Sequence, residues 1–287
     1  MCDDAMGIEA IRPIDVRFRG RERVICVWLV DDVLVDCGPS VRIETLLSEL
    51  GEIVPRALAL THIHLDHAGA AGTLVERFPE MEVWVHERGA PHLVDPSRLL
   101  ASAGRLYGGD MDRLWGEVKP VPAENVRVLV GGEALGALEV AYTPGHASHH
   151  VSYLHTPTRT ALVGDVAGVR IAPSSYILAP TPPPDIDVEA WMSSIDLVRA
   201  WRPLQLAITH FGCFGGVADH LDGISRALDV AAERARDGGV EEFIAATAAE
   251  IAAAGDDDAV AGYSFGAPLD QNYAGLARYW SKRGVLR

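Results

Sequence analysis

Hydrophobic positions along the chain come in short runs, each closed by a polar or turn-forming cluster, and sustained helical spacing dominates only toward the C-terminus. Residues 24–30 and 33–38, divided by Asp31-Asp32, predict a β-hairpin buried on at least one face. The apolar run 57–60 after Pro55 predicts a buried strand, and 82–86, 126–130, 138–142 and 204–208 read as strands. Helical patterns cover 40–50, with Ser40 as cap, then 68–78 and 87–93. Residues 96–119 are loosely helical but broken by Gly104, Gly108, Gly109 and Gly116; Tyr107, Met111 and Trp115 are candidates there for substrate contact or core packing. The run 179–184 is rich in proline, which excludes helix and central strand and predicts a stiff loop before a helix over 188–201 that Asp185 or Asp187 can cap. From 217 the chain turns Ala-rich, with helices over 219–236, 240–254 and about 271–282; the acidic break 255–258 reads as a solvated loop.

Against this background the stretch Thr61-His62-Ile63-His64-Leu65-Asp66-His67 stands apart. Three imidazoles and a carboxylate within six residues would each need a polar partner if buried, and one shared cation satisfies them together. The stretch follows a strand and opens a helix. His62 and His64, two apart on extended backbone, can point the same way, while Asp66 and His67 lie at the helix start. Two adjacent metal pockets are the expectation.

This stretch resembles the HxHxDH signature of the metallo-beta-lactamase superfamily, and the later motifs of that family follow in order. Thr143-Pro144-Gly145-His146 looks like the second, Val163-Gly164-Asp165 the third and Ile208-Thr209-His210 the last. The resemblance implies an α/β fold, the αββα sandwich of this superfamily, over residues 1–216, with a helical C-terminal extension, 217–287, packed on it. It implies one metal on His62, His64 and His146, a second on Asp66, His67 and His210, and Asp165 bridging both. Asp36-Cys37-Gly38 looks like an early motif whose aspartate supports the metal loop from behind, although a plain turn explains Asp36 equally well. His150 matches a polar position that supports the site. His149, where relatives favour glycine, is expected at the surface.

Composition narrows the reading. A net charge of −15 with a pI near 5.1 opposes binding to phosphate backbones, so nucleic acid is not an expected partner; a small-molecule substrate is, and a homo-oligomer is compatible. Neither a leader segment nor a membrane span is expected, which points to a cytoplasmic protein without membrane contact. Cys2, Cys26, Cys37 and Cys213 show no CxxC spacing and suggest neither a disulfide framework nor a thiolate zinc site. Cys26 and Cys37 are expected to pack on neighbouring strands, and Cys213 to be structural or to approach the ligands from behind.

Paired divalent ions can lower the pKa of a shared water toward neutrality, which predicts a dinuclear metal-dependent hydrolase with Asp66 and Asp165 as catalytic carboxylates. Donors that are all nitrogen and oxygen suit zinc, with iron or manganese as alternatives. The bridging Asp165 separates the chain from the β-lactamases of the fold and resembles the glyoxalase II-like branch, which hydrolyses thioesters; a basic glutathione-binding pattern is missing after Asp165. A lactonase using Tyr176, a phosphodiesterase, a persulfide dioxygenase with one iron on His62, His146 and Asp165, and a non-catalytic metal-stabilised binding module remain as alternatives.

Overall fold

The computed structural model describes residues 11–255 and 257–286, which belong to two compact units, Met1–Glu133 and Ala134–Arg287. The expectations for Cys2 and the preceding N-terminal residues lie outside the described residues, as does Asp256.

The first unit runs β1 (Ile11–Asp15), β2 (Cys26–Val30), β3 (Val33–Val35), α1 (Ile43–Leu50), β4 (Ala57–Ala59), α2 (Leu65–Ala68), α3 (Ala71–Arg77), β5 (Glu82–His86), α4 (Ala90–Val94), α5 (Ser97–Tyr107), α6 (Met111–Leu114) and β6 (Val126–Leu129). Its six strands lie in chain order. The β1–β2 and β2–β3 pairs are antiparallel, and every later pair is parallel. Parallel neighbours need a crossover, which α1 supplies between β3 and β4, and α2 with α3 between β4 and β5. All three residues of β3 and of β4 are buried, which is why both read as unbroken apolar runs.

Several elements differ from expectation here. β1 was not expected, because Arg12, Pro13 and Asp15 interrupt it; only Ile11 and Ile14 face the core, and the strand lies at the sheet edge, where proline is tolerated. Ser40 caps no helix. Its hydroxyl donates to Gly69 O (2.7 Å), while α1 begins at Ile43. The helix expected over 68–78 begins only at Ala71, after the short α2 ends at Ala68, and the one expected over 87–93 begins at Ala90. Trp115 takes the packing role, with ring centroids 5.6 Å from Phe18 and 5.0 Å from Tyr107.

The second unit runs β7 (Ala134–Leu135), β8 (Leu138–Tyr142), β9 (Val151–His155), β10 (Thr160–Gly164), α7 (Val188–Ala200), β11 (Gln205–Ile208), β12 (Gly212–Phe214), α8 (Val217–Asp237), α9 (Val240–Ala254), α10 (Asp257–Gly266) and α11 (Leu269–Lys282). Its sheet is ordered β12-β11-β10-β9-β8-β7, and β10–β11 is the parallel pair, joined through α7. Trp191 and Ile195 of α7, Leu221 and Leu228 of α8, Phe243 of α9 and Leu276 of α11 share one core with Val163 and Ile208 of the sheet. Asp187 accepts from Ala190 N–H (3.0 Å) and caps α7. The acidic break expected over 255–258 is corrected: Asp257 opens α10, whose Tyr263 is buried and donates to Tyr176 O (2.6 Å). No described helix is long and apolar enough to cross a membrane.

Candidate metal centre

In the first unit the site is built on Asp36, one residue past β3. Asp36 is buried and holds φ at 60°, a left-handed conformation that aspartate tolerates better than most residues. Its Oδ1 accepts from Thr61 N–H (2.8 Å), both oxygens lie within reach of the Thr61 hydroxyl (3.0 and 2.9 Å), and Oδ2 accepts from His67 Nδ1–H (2.8 Å). A carboxylate only accepts, so His67 carries its proton on Nδ1 and its Nε2 is the lone-pair nitrogen; that Nε2 lies 3.7 Å from Asp66 Oδ2.

With its proton committed to Asp36, Thr61 Oγ1 accepts from His62 Nδ1 (3.1 Å), leaving Nε2 as the lone-pair nitrogen of His62 as well. That atom lies 2.9 Å from His64 Nδ1. His64 is the N-cap of α2, so Asp66 and His67 fall in the first turn of that helix, as expected. Burial, and then the charge of Asp36, push the Cys37 thiol well above its ordinary value, so it is a neutral donor to His67 O (3.2 Å). Asp36 is therefore no plain turn residue: it holds one imidazole directly and a second through Thr61.

In the second unit the turn before His146 is closed by Gly145 at φ +133°, where a Cβ would lie 2.3 Å from Trp191 Cα. The start of α7 grips this turn. Asp187 N–H donates to Gly145 O (2.9 Å), and Ser194 Oγ donates to Pro144 O (2.6 Å). His146 Nδ1 donates to Pro180 O (2.8 Å), since a carbonyl can only accept, and its Nε2 lies 3.3 Å from Asp165 Oδ2. The other oxygen of Asp165, Oδ1, lies 3.5 Å from His210 Nε2. One carboxylate, at the end of β10, thus divides its two oxygens between two imidazoles. Asp165 N–H is in turn 3.4 Å from His150 Nε2, and His150 Nδ1 meets Thr143 Oγ1 (3.0 Å), so His150 supports the aspartate from behind.

The first unit brings together His62, His64, Asp66 and His67, and the second brings together His146, Asp165 and His210. Three of the imidazoles have Nδ1 tied to oxygen and Nε2 turned to other donors, the arrangement that orients histidines toward a divalent cation, and the donors suit zinc, iron or manganese. Other expectations are corrected or settled. His149 is buried, against the surface position expected. Tyr176 donates to Glu250 Oε2 (2.9 Å), and Cys213 donates to Gln205 Oε1 (3.2 Å) within the β11–β12 pair.

Some supporting residues were not anticipated. The Pro180 carbonyl sits on a loop held by α11: Thr181 N–H donates to Asn272 Oδ1 (2.9 Å), and Thr181 Oγ1 donates to Asn272 O (2.9 Å). At Gly275, one turn on, a Cβ would lie 1.9 Å from Thr181 O, so only glycine permits the approach. Asn272 and Thr181 are 91 residues apart, and no local pattern signals the pairing.

Residues 23–210 match the family model of the metallo-beta-lactamase superfamily. The chain is 31% identical over 191 residues to the uncharacterized protein YobT of Bacillus subtilis, covering 64% of this chain and 78% of YobT. It is 29% identical over 136 residues to the hydroxyacylglutathione hydrolase of Yersinia enterocolitica, covering 46% of this chain and 43% of that one. The solved structure of the archaeal metallo-beta-lactamase superfamily protein ST1585 from Sulfolobus tokodaii superposes with a TM-score of 0.67 at 22% identity, over 94% of this chain and 99% of that one, a likeness of fold.

Proposed function

Because the chain belongs to the metallo-beta-lactamase superfamily, we propose that it is a dinuclear metal-dependent hydrolase acting on a small ester-type substrate, a thioester or related carboxyl ester. In this reading His62, His64 and His146 hold one ion, Asp66, His67 and His210 the other, and Asp165 bridges them. The observation that carries it is the division of Asp165, with Oδ2 toward His146 and Oδ1 toward His210. A carboxylate placed so has one oxygen for each of two cations and offsets part of their charge. The similarity to a hydroxyacylglutathione hydrolase supports the glyoxalase II-like branch and an ester-type substrate.

When bound, the two ions would supply Lewis acidity for the substrate carbonyl and bring the pKa of an attacking water near neutrality. The protein's own part is orientation and proton movement. Asp66, partly exposed at the first turn of α2, would in this reading orient the attacking water and pass its proton to the leaving group. Asp36, Thr61 and Pro180 hold the Nδ1 protons of His67, His62 and His146, so those rings keep their tautomers and angles through turnover.

The test is metal content of protein purified without chelators, together with hydrolysis of a thioester and lactone panel. The reading expects about two metals per chain and loss of thioester hydrolysis in His64→Ala and Asp165→Ala. One iron with oxygen uptake would move the assignment to the dioxygenase, preferential lactone turnover would move it to the lactonase, and a metal-free protein would sink the dinuclear reading altogether.

A further inference from the structure

The second unit contains a cavity of about 650 Å³ between α8, α9 and the segment 175–179, and none of the seven metal-donor residues lines it. Its walls are partly apolar, with Ile177, Val230, Ala231 and Phe243, and three arginines reach it: Arg170, Arg226 and Arg234. Arg234 is neutralised, since its guanidinium pairs with Glu250 and also donates to Thr247 Oγ1 (2.9 Å). The other two have no carboxylate partner among the described residues.

Arg170 is held in place without being satisfied. Its ring-stacking partner is Phe214, 4.6 Å from the guanidinium carbon, and its NH1 lies 3.4 Å from His220 Nδ1. His220 Nε2 donates to Ala167 O (2.9 Å), so Nδ1 is the bare nitrogen that accepts from Arg170. Arg170 Nε, by contrast, is buried and makes no hydrogen bond among the described residues. A guanidinium fixed on an aromatic face in a cavity wall, with no carboxylate to offset it, is a charge placed for an anionic head group. The lining charges, Arg170, Arg226 and Arg234 against Asp219 and Glu250, leave one net positive charge (3 − 2 = 1) in a chain whose total is −15.

We propose that this cavity is a binding site for an amphipathic anion, a carboxylate or phosphate head held by Arg170 and Arg226 with a short apolar body against Ile177, Ala231 and Phe243. A simple inorganic anion would leave the apolar wall wet, and an uncharged apolar molecule would leave the arginine charges unpaired, so both features are used only when they are covalently joined. The cavity shares no lining residue with the proposed metal donors, and its link to them is through the backbone, where Arg170 N–H donates to His210 O (2.6 Å).

The experiment is calorimetric titration of the full chain with octanoate, octyl phosphate, octanol and inorganic phosphate. Saturable binding of octanoate or octyl phosphate, with octanol and inorganic phosphate at least tenfold weaker, is the expected result, and the tighter of the two acids identifies the head group. Arg226→Gln, at an exposed position that leaves folding undisturbed, and Arg170→Gln should each weaken the acid about tenfold or more, and Ala231→Phe should block it by filling the wall. His64→Ala should bind it as the parent does, which separates this cavity from the metal donors. Equal affinity for octanol, or undiminished acid binding in both arginine variants, would overturn the proposal.

Discussion

Asp36 and His67, 31 residues apart, meet at 2.8 Å between Oδ2 and Nδ1, and through Thr61 the same carboxylate sets the tautomer of His62. One buried side chain behind the donors therefore controls donors assigned to both ions. Asp36→Ala should lower the affinity for divalent metal by about ten- to a hundredfold while leaving all seven donors in place. Titration of chelator-stripped protein with zinc would check this, and unchanged affinity would show that Asp36 is only a turn.

Gly145→Ala should destabilise the second unit. The new Cβ would meet the Trp191 backbone at 2.3 Å from a φ of +133°, and neither strain can relax without moving α7. A loss of about 3 kcal/mol or more is expected from a clash and a forbidden backbone region together, read as a shift in the denaturant midpoint.

His220 predicts an acid-side loss of stability. Burial lowers its pKa from 6.5 to about 4, with Arg170 adding in the same direction and the bond to Ala167 opposing. Above pH about 6.5 the ring is neutral in both folded and unfolded chains and contributes nothing; as pH falls below that, the unfolded chain takes a proton that the folded one refuses. Stability should decline by about 3 kcal/mol as pH approaches 4. Denaturation of the parent and His220→Gln across pH 7.5 to 4.5 would separate this contribution, and parallel pH profiles for the two proteins would count against it.

Asn272→Ala should cost about 1–3 kcal/mol by stranding the Thr181 amide. It should also loosen the Pro180 carbonyl that fixes His146, so metal affinity should fall with stability. Equal metal affinity in a variant of lower stability would separate the loop from the site.

The candidate donors could be picked out because three of them directly follow or nearly follow a short apolar strand, where a local run announces the strand and a polar residue ends it: His62 after β4, Asp165 after β10, His210 after β11. What reading failed to find lacks such local marks. β1 carries Pro13 and two charges, and its strand character comes from pairing with β2. α10 begins in an acidic run that looks solvated, yet Tyr263 from it reaches the core. His149 was expected outside because its neighbours give no hint of what covers it. Asn272 was an isolated polar residue until the fold placed it on Thr181.

That last pairing also orders the assembly of the molecule in time. A chain emerging from the ribosome carries every proposed donor once His210 is out, but the helix that grips the Pro180 loop is made some sixty residues later (272 − 210 = 62). Until then the Pro180 carbonyl that meets His146 lies on a loop that Asn272 does not yet hold. A nascent chain, or one clipped before α11, would present the cell with the full set of proposed donors and an unfinished cage.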